Sequence, residues 1–170
     1  MEIFFTADTH FNHANIIKYC NRPFNDVEEM NTVMFESWNK VVGQNDLVYV
    51  IGDFIFGWTD QFYNKILSNL NGDIILIKGN HDKTSFILQK KKNFFKEIKF
   101  YEELRINKQK VCLFHYPIEE WNGKHHGSIH LHGHSHGNAS IKKNRYDVGV
   151  DVNEFTPVSL DEIIQITSQR

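Results

Sequence analysis

The chain has 170 residues, a formal net charge of −2, and 41% hydrophobic and 14% aromatic residues. That is enough chain and enough apolar side chain for one domain, residues 1–170, around a packed core, which excludes a disordered segment. The near-neutral charge does not advertise a broadly basic nucleic-acid binder, and no apolar run approaches the roughly 20 residues of a membrane helix.

The first apolar run, Ile3 to Ala7, predicts a strand. Val27, Met30, Met34, Trp38 and Val41 recur at helical spacing, and Asn25 with Glu28 resembles a capping box at the start of that helix. Leu47 to Ile51 predicts the next strand, followed by a helix with the stripe Phe62, Ile66 and Leu70, opened by Thr59 and closed by Asn71-Gly72. After the strand Ile74 to Ile77 comes the only strong charge bias, Lys90-Lys91-Lys92 with Lys96 and Lys99. Its plain reading is a solvated surface; an anion-contacting patch is the alternative. Strands around Phe100 to Ile106 and Val111 to Phe114 flank Asn107-Lys108-Gln109 as an antiparallel hairpin. Ile129 to Leu131 and Tyr146 to Val150 add strands, and Ser159 with Glu162 caps a last helix carrying Ile163, Ile164 and Ile166. Strands alternating with helices, then hairpins, predict an α/β domain with mixed sheets. Cys20 and Cys112 show no CxxC pairing and are expected as free thiols; with no leader-like start, a cytoplasmic location is expected.

The polar residues sit at the ends of these apolar runs. Ile3–Ala7 leads into Asp8-Thr9-His10, Leu47–Ile51 into Gly52-Asp53, and Ile74–Ile77, by way of Lys78, into Gly79-Asn80-His81-Asp82. Val111–Phe114 ends in His115, and Ile129–Leu131 runs into Gly133-His134-Ser135-His136. In α/β folds that sheet edge is where ligands bind. Each fragment has an ordinary reading alone, as a cap, a turn or an adventitious histidine cluster. Together, Asp8, His10, Asp53, Asn80, His115, His134 and His136 make too many ligands for one tetrahedral zinc, and suit two divalent ions sharing a carboxylate. Carboxylate, imidazole and amide oxygen without thiolate suit manganese, with iron, zinc or nickel as alternatives. If Asp8-Thr9-His10 is extended, its i and i+2 side chains point to one side and can grip one ion.

These blocks, in this order, resemble the calcineurin-like metallophosphoesterase superfamily, whose pattern runs D-x-H, G-D, G-N-H-D/E, H and G-H-x-H. The context Asp8-Thr9-His10-Phe11-Asn12-His13, with Asn21-Arg22-Pro23-Phe24 and His115-Tyr116-Pro117, looks like a compact bacterial or phage branch. The resemblance implies a four-layer α/β/β/α sandwich with two mixed β-sheets. It also implies that Asp8, His10 and His136 hold one ion, and Asn80, His115 and His134 the other, with Asp53 bridging. One departure is that many relatives place a further acidic residue three positions after G-D, whereas this chain reads Gly52-Asp53-Phe54-Ile55-Phe56. Phe54 to Trp58 are therefore expected as apolar lining beside the site.

The expected activity is hydrolysis of a phosphate mono- or diester by a metal-activated hydroxide. His81 is the general acid, and Asp82 fixes its orientation. Asn12, His13 and Arg22 are candidate substrate contacts, although a surface salt bridge serves Arg22 equally well. Tyr116 and Trp121 could stack on an aromatic leaving group, core or rim packing being the alternative. His125, His126, His130 and His132 fall outside the pattern. The substrate is a small phosphate ester or nucleotide. A nuclease or cyclic-nucleotide phosphodiesterase on the same centre is the main alternative, and a non-catalytic metal-binding scaffold is the other.

Overall fold

A computed structural model describes residues 1–57, 59–83 and 94–168. Trp58 and the Lys90-Lys91-Lys92 run lie outside the described residues. Five strands form the first sheet: β1 (Ile3–Thr6), β2 (Leu47–Ile51), β3 (Asp73–Ile77), β4 (Phe95–Lys99) and β9 (Val158–Ser159). Their order is β4-β3-β2-β1-β9, all parallel except β9, which runs antiparallel to β1. The second sheet is β5 (Tyr101–Ile106), β6 (Gln109–Phe114), β7 (Ile129–His132) and β8 (Arg145–Asp147), in that order. Its β5–β6 pair is an antiparallel hairpin, while β6–β7 and β7–β8 are parallel.

Alternation along the central strands explains the layering. Phe4, Val48, Val50, Ile74 and Leu76 face an outer helical core, while Phe5, Tyr49, Ile51, Ile75 and Ile77 face the second sheet. A sheet buried on both faces needs such near-continuous apolar strands. The helical layer is α1 (Ala14–Tyr19), α2 (Val27–Val41) and α3 (Asp60–Asn69). They contribute Ile16, then Met30, Met34 and Trp38, then Ile66 to the outer core. Between the sheets, Val111, Leu113, Ile129, Leu131 and Tyr146 meet the inner face of the first sheet. α4 (Leu160–Ser168) contacts β1, β8 and β9 and puts Leu160 and Ile163 into that same core. Beyond the second sheet, the segment after β6 lies over β6 and β7: Cys112 Sγ bonds the Asn122 carbonyl, and Trp121 packs against His130. Among the described residues, no helix is long and apolar enough to cross a membrane.

Several of the expected caps are present, and others are displaced. Thr59 caps α3 by accepting from the Phe62 amide, and Ser159 and Glu162 form a reciprocal box at α4. The α2 cap lies one residue later than expected. Asp26 accepts from the Glu28 and Glu29 amides, and Glu29, not Glu28, reaches back to the Asn25 amide. Val42 rather than Val41 is buried at its end. Lys96 and Lys99 lie on β4, a strand the charge-biased sequence did not announce; an edge position lets it carry lysines to solvent. Tyr146 to Val150 is strand only to Asp147, before a 3-10 turn at Val150–Val152.

The β5–β6 connection is a two-residue turn with φ +48° at Asn107 and +72° at Lys108. Two consecutive left-handed residues are the signature of a type I′ hairpin turn, where glycine is preferred at the second place. Lys108→Gly should therefore stabilise the protein by about 1 kcal/mol. This is measurable as a raised denaturant midpoint with unchanged slope.

Candidate metal centre

Parallel pairing brings the C-terminal ends of β1, β2 and β3 to one edge, and backbone hydrogen bonds stitch their loops beyond it. The Asp8 amide donates to the Gly52 carbonyl at 3.0 Å, and the His10 amide to the Asp53 carbonyl at 3.0 Å. The second sheet joins the same edge through Ala7 N–H to the Val148 carbonyl at 3.1 Å and the His134 amide to Asp8 Oδ2 at 2.7 Å. Two glycines permit this crowding. A Cβ on Gly52 would lie 2.2 Å from His115 Nδ1, and one on Gly79 would lie 2.3 Å from Asp53 Oδ1.

Asp8 and His10 are not on an extended segment. Their φ angles are +55° and +47°, with His134 at +70°, His136 at +45° and Asp53 at +52°. The paired side chains thus converge through isolated left-handed residues. This conformation is costly for non-glycine residues and concentrates at functional sites.

Among the described residues three groups of ligand-type atoms lie within 4.8 Å internally: Asp8, His10 and His136; Asp53, His115 and His134; and Cys20 and Asp151, which meet the first group at His136. Asn80 Oδ1 joins the second, 2.9 Å from His115 Nε2 and 3.0 Å from His134 Nδ1. Asp53 Oδ2 lies between the clusters, 3.6 Å from His10 Nε2 and 3.5 Å from His115 Nε2. The centre brings together all seven residues proposed as ligands from the sequence.

The donor set fits cations. Asp8 Oδ1 and His10 Nε2 are buried without a hydrogen-bond partner, a costly arrangement unless something positive sits between them. His115 Nδ1 donates to the Ile51 carbonyl at 2.9 Å, so in a neutral ring Nε2 turns a lone pair toward the Asn80 and Asp53 oxygens. His136 is held alike, Nδ1 donating to Asp151 Oδ2 at 2.6 Å. Carboxylate or carbonyl partners on the far nitrogen are how metal-binding histidines are usually oriented.

Titration follows the same logic. Burial pushes the Asp8 carboxyl up to about 8, against the pull of His115 and His136. Burial holds the His10 imidazole down at about 3 despite Asp53. Burial also opposes charge on Asp53, but the His115 hydrogen bond and charge overcome it, leaving about 2. For His115 and His136, burial is outweighed by their carboxylate neighbours, and both rise above the ordinary imidazole value.

Several expected roles are corrected. Asp82 does not orient His81. Its buried carboxylate accepts from the amides of Asp53 (2.9 Å), Gly79 (2.8 Å) and Phe54 (3.1 Å), pinning the two ligand loops together. Arg22 is neither a phosphate contact nor a surface ion pair. It is buried, with a bidentate bond to Asp151 (2.7 and 2.9 Å) and bonds to the carbonyls of Asp8 and Thr9 (2.7 and 2.9 Å). Phe54 and Ile55 are core residues, whereas Phe56 is exposed beside the centre, stacked on His13 at 4.0 Å. Trp121 is buried, its Nε1 on the Ser128 carbonyl. His81 stands exposed at the mouth, its ring 5.4 Å from His10 and its amide donating to Asp53 Oδ1 at 2.8 Å. His13 lies 5.5 Å from His10, while Asn12 reaches the Phe56 carbonyl at 3.5 Å. His130 and His132 are buried, with Nδ1 bonded to the carbonyls of Cys112 and Gly133.

Two supporting residues escaped the sequence reading. Asp151 ties His136 to Arg22, and Asp147 ties the His134–His136 loop by accepting from Ser135 Oγ (2.9 Å) and the Gly137 amide (3.1 Å). Their only sequence signal is an acid in each of Tyr146-Asp147-Val148 and Val150-Asp151-Val152, beside apolar residues.

Residues 1–151 match the model of the calcineurin-like phosphoesterase superfamily domain. An uncharacterised protein of Methanocaldococcus jannaschii is 39% identical over 97% of this chain and 90% of its own length. The Gene 66 protein of Mycobacterium phage L5 is 26% identical over 96% of this chain and 93% of its own. A crystal structure of a protein of unknown function from Aquifex aeolicus superposes with a TM-score of 0.76, at 26% identity over 97% of this chain and 98% of that one.

The raised groups set a pH dependence. Asp8, His115 and His136 each hold a proton in the folded, metal-free protein at pH values where the unfolded chain has released it. Their stabilisation is complete below the unfolded pKa and lost as pH rises through the folded one. The depressed His10 works oppositely, but only below 6.5. Between pH 6.5 and 8 the chelated protein should therefore lose stability, on the order of 2 kcal/mol from Asp8 alone. Added Mn²⁺ should replace those protons and stabilise more at pH 8 than at pH 6.5. Thermal melts with chelator and with Mn²⁺ at both pH values check this.

Proposed function

The chain belongs to the calcineurin-like phosphoesterase superfamily, and from that premise we propose a dinuclear, metal-dependent phosphoesterase with His81 as its proton donor. Asp8, His10 and His136 would hold one divalent cation, Asn80, His115 and His134 the other, and Asp53 both. The observation that supports this most is the Asp53 carboxylate, with one oxygen 3.6 Å from His10 Nε2 and 3.5 Å from His115 Nε2. Nitrogen and oxygen donors without a thiolate favour Mn²⁺, with iron, zinc or nickel as substitutes. When bound, such a pair supplies positive charge for phosphoryl oxygens and acidifies water.

The chain's own groups do the rest. His81, at the mouth and tethered through its amide to Asp53, hands a proton to the leaving oxygen as the phosphorus–oxygen bond breaks. Water contributes the oxygen that stays on phosphorus, and its proton restores His81. Asp82 acts earlier, as a positioning residue: with its three amide bonds it fixes where Asp53 and the Gly79–His81 loop sit. Nuclease or cyclic-nucleotide activity would use the same centre. The free thiols of Cys20 and Cys112 are in keeping with a reducing, cytoplasmic location.

Two variants separate the roles. His81→Ala should keep its metal content yet lose about 10²–10⁴-fold in kcat on an alkyl phosphate ester, and less on a nitrophenyl ester. Asp53→Asn should instead fail to hold the full metal complement. Metal analysis with kinetics on both decides the matter; a fully active His81→Ala enzyme on the alkyl ester removes the proton-donor role.

A further inference from the structure

Aromatic rings stand on both sides of the centre, and the two sides differ. On the side of His10 and His81, exposed Phe56 is stacked on His13 with centroids 4.0 Å apart and lies 6.5 Å from the His81 ring. On the side of His115 and His134, exposed Tyr116 lies 4.6 Å from His134 and 5.0 Å from His115. Behind Tyr116, Phe114 follows at 5.5 Å and Tyr101 at 6.3 Å beyond it, all continuing along the end of the second sheet. Asp53 Oδ2 lies between the two sides.

We propose that the substrate is a nucleotide phosphodiester, its retained nucleoside stacked on Tyr116 and its leaving arm against Phe56. This rests on the reading of the centre as a phosphoesterase with His81 as proton donor. The direction follows from His81: the oxygen it protonates is the one that departs, so the ring beside His81 meets the leaving arm. The opposite ring meets the arm that stays on phosphorus. A monoester has only one arm and would leave one wall unused, whereas a diester engages both. Tyr116 is an exposed aromatic ring backed by Phe114 and Tyr101, on which a base can stack, and base stacking is tolerant of sequence. Tyr116 and Phe56 are specificity residues in this scheme; bond breaking remains with water, phosphorus and His81.

Two Mn²⁺-dependent substrates with the same leaving group test it: thymidine 5′-(p-nitrophenyl phosphate) and methyl p-nitrophenyl phosphate. Only the retained arm differs. The kcat/KM ratio of the first to the second should be about 5- to 100-fold in the unaltered protein, the range expected of one stacked base. Tyr116→Ala should bring the ratio close to one, and Tyr116→Phe should restore it. Phe56→Ala should lower kcat/KM on both esters and keep the ratio. Equal use of the two esters, or a ratio that survives in Tyr116→Ala or collapses instead in Phe56→Ala, overturns the assignment while sparing the phosphoesterase reading. Hydrolysis of neither ester overturns the diester assignment, and the phosphoesterase reading falls with it only if the monoester p-nitrophenyl phosphate is left intact as well.

Discussion

Two carboxylates, Asp8 and Asp53, are buried at one sheet edge with too little built-in positive charge to balance them. That constraint organises the neighbourhood. Imidazoles surround the acids, and buried Arg22 is turned away from them, committed to Asp151 and to backbone carbonyls. A buried ion without compensation is expensive, so the metal-free molecule compensates with protons on Asp8, His115 and His136. Divalent cations offer the same compensation without waiting on pH, and once those protons leave, the Nε2 atoms of His115 and His136 present lone pairs in their place.

The scaffolding of the centre is backbone as much as side chain. Asp82 gathers three amides from two loops, and Gly52 and Gly79 let those loops approach more closely than any other residue would allow. Left-handed turns at Asp8, His10, Asp53, His134 and His136 then swing the ligands inward. Strain of this kind persists only where its surroundings hold it, and here the hydrogen bonds between strand-end loops do so.

Much of this was legible in the chain because apolar runs ending in Asp, Asn or His mark strands whose ends carry chemistry. The candidate ligand residues, the α2 and α3 stripes, the hairpin and the α4 box all follow from local spacing. What escaped depends on partners distant in sequence. Nothing near Asp151 indicates that it will hold His136, and nothing near Arg22 indicates that it will pair with a carboxylate 129 residues away. Adjacency to His81 suggests a local bond for Asp82, while its amide partners at Asp53 and Phe54 lie across the sheet edge. The extended reading of Asp8-Thr9-His10 failed for another reason: residue types other than glycine do not announce a positive φ.

The hydrogen bond from the His134 amide to Asp8 spans 126 positions of the chain. On a ribosome, Asp8, His10, Asp53 and Asn80 emerge long before His134, His136 and Asp151 have been made. The parallel strands β1 to β4 could assemble early, but the acids at their ends must wait, half-surrounded, for the later sheet to deliver the last imidazoles. Such long-range closure is a slow kind of contact to make. The full donor set at this edge is therefore a mark of a finished molecule, and the growing chain cannot gather it before His134, His136 and Asp151 have been made.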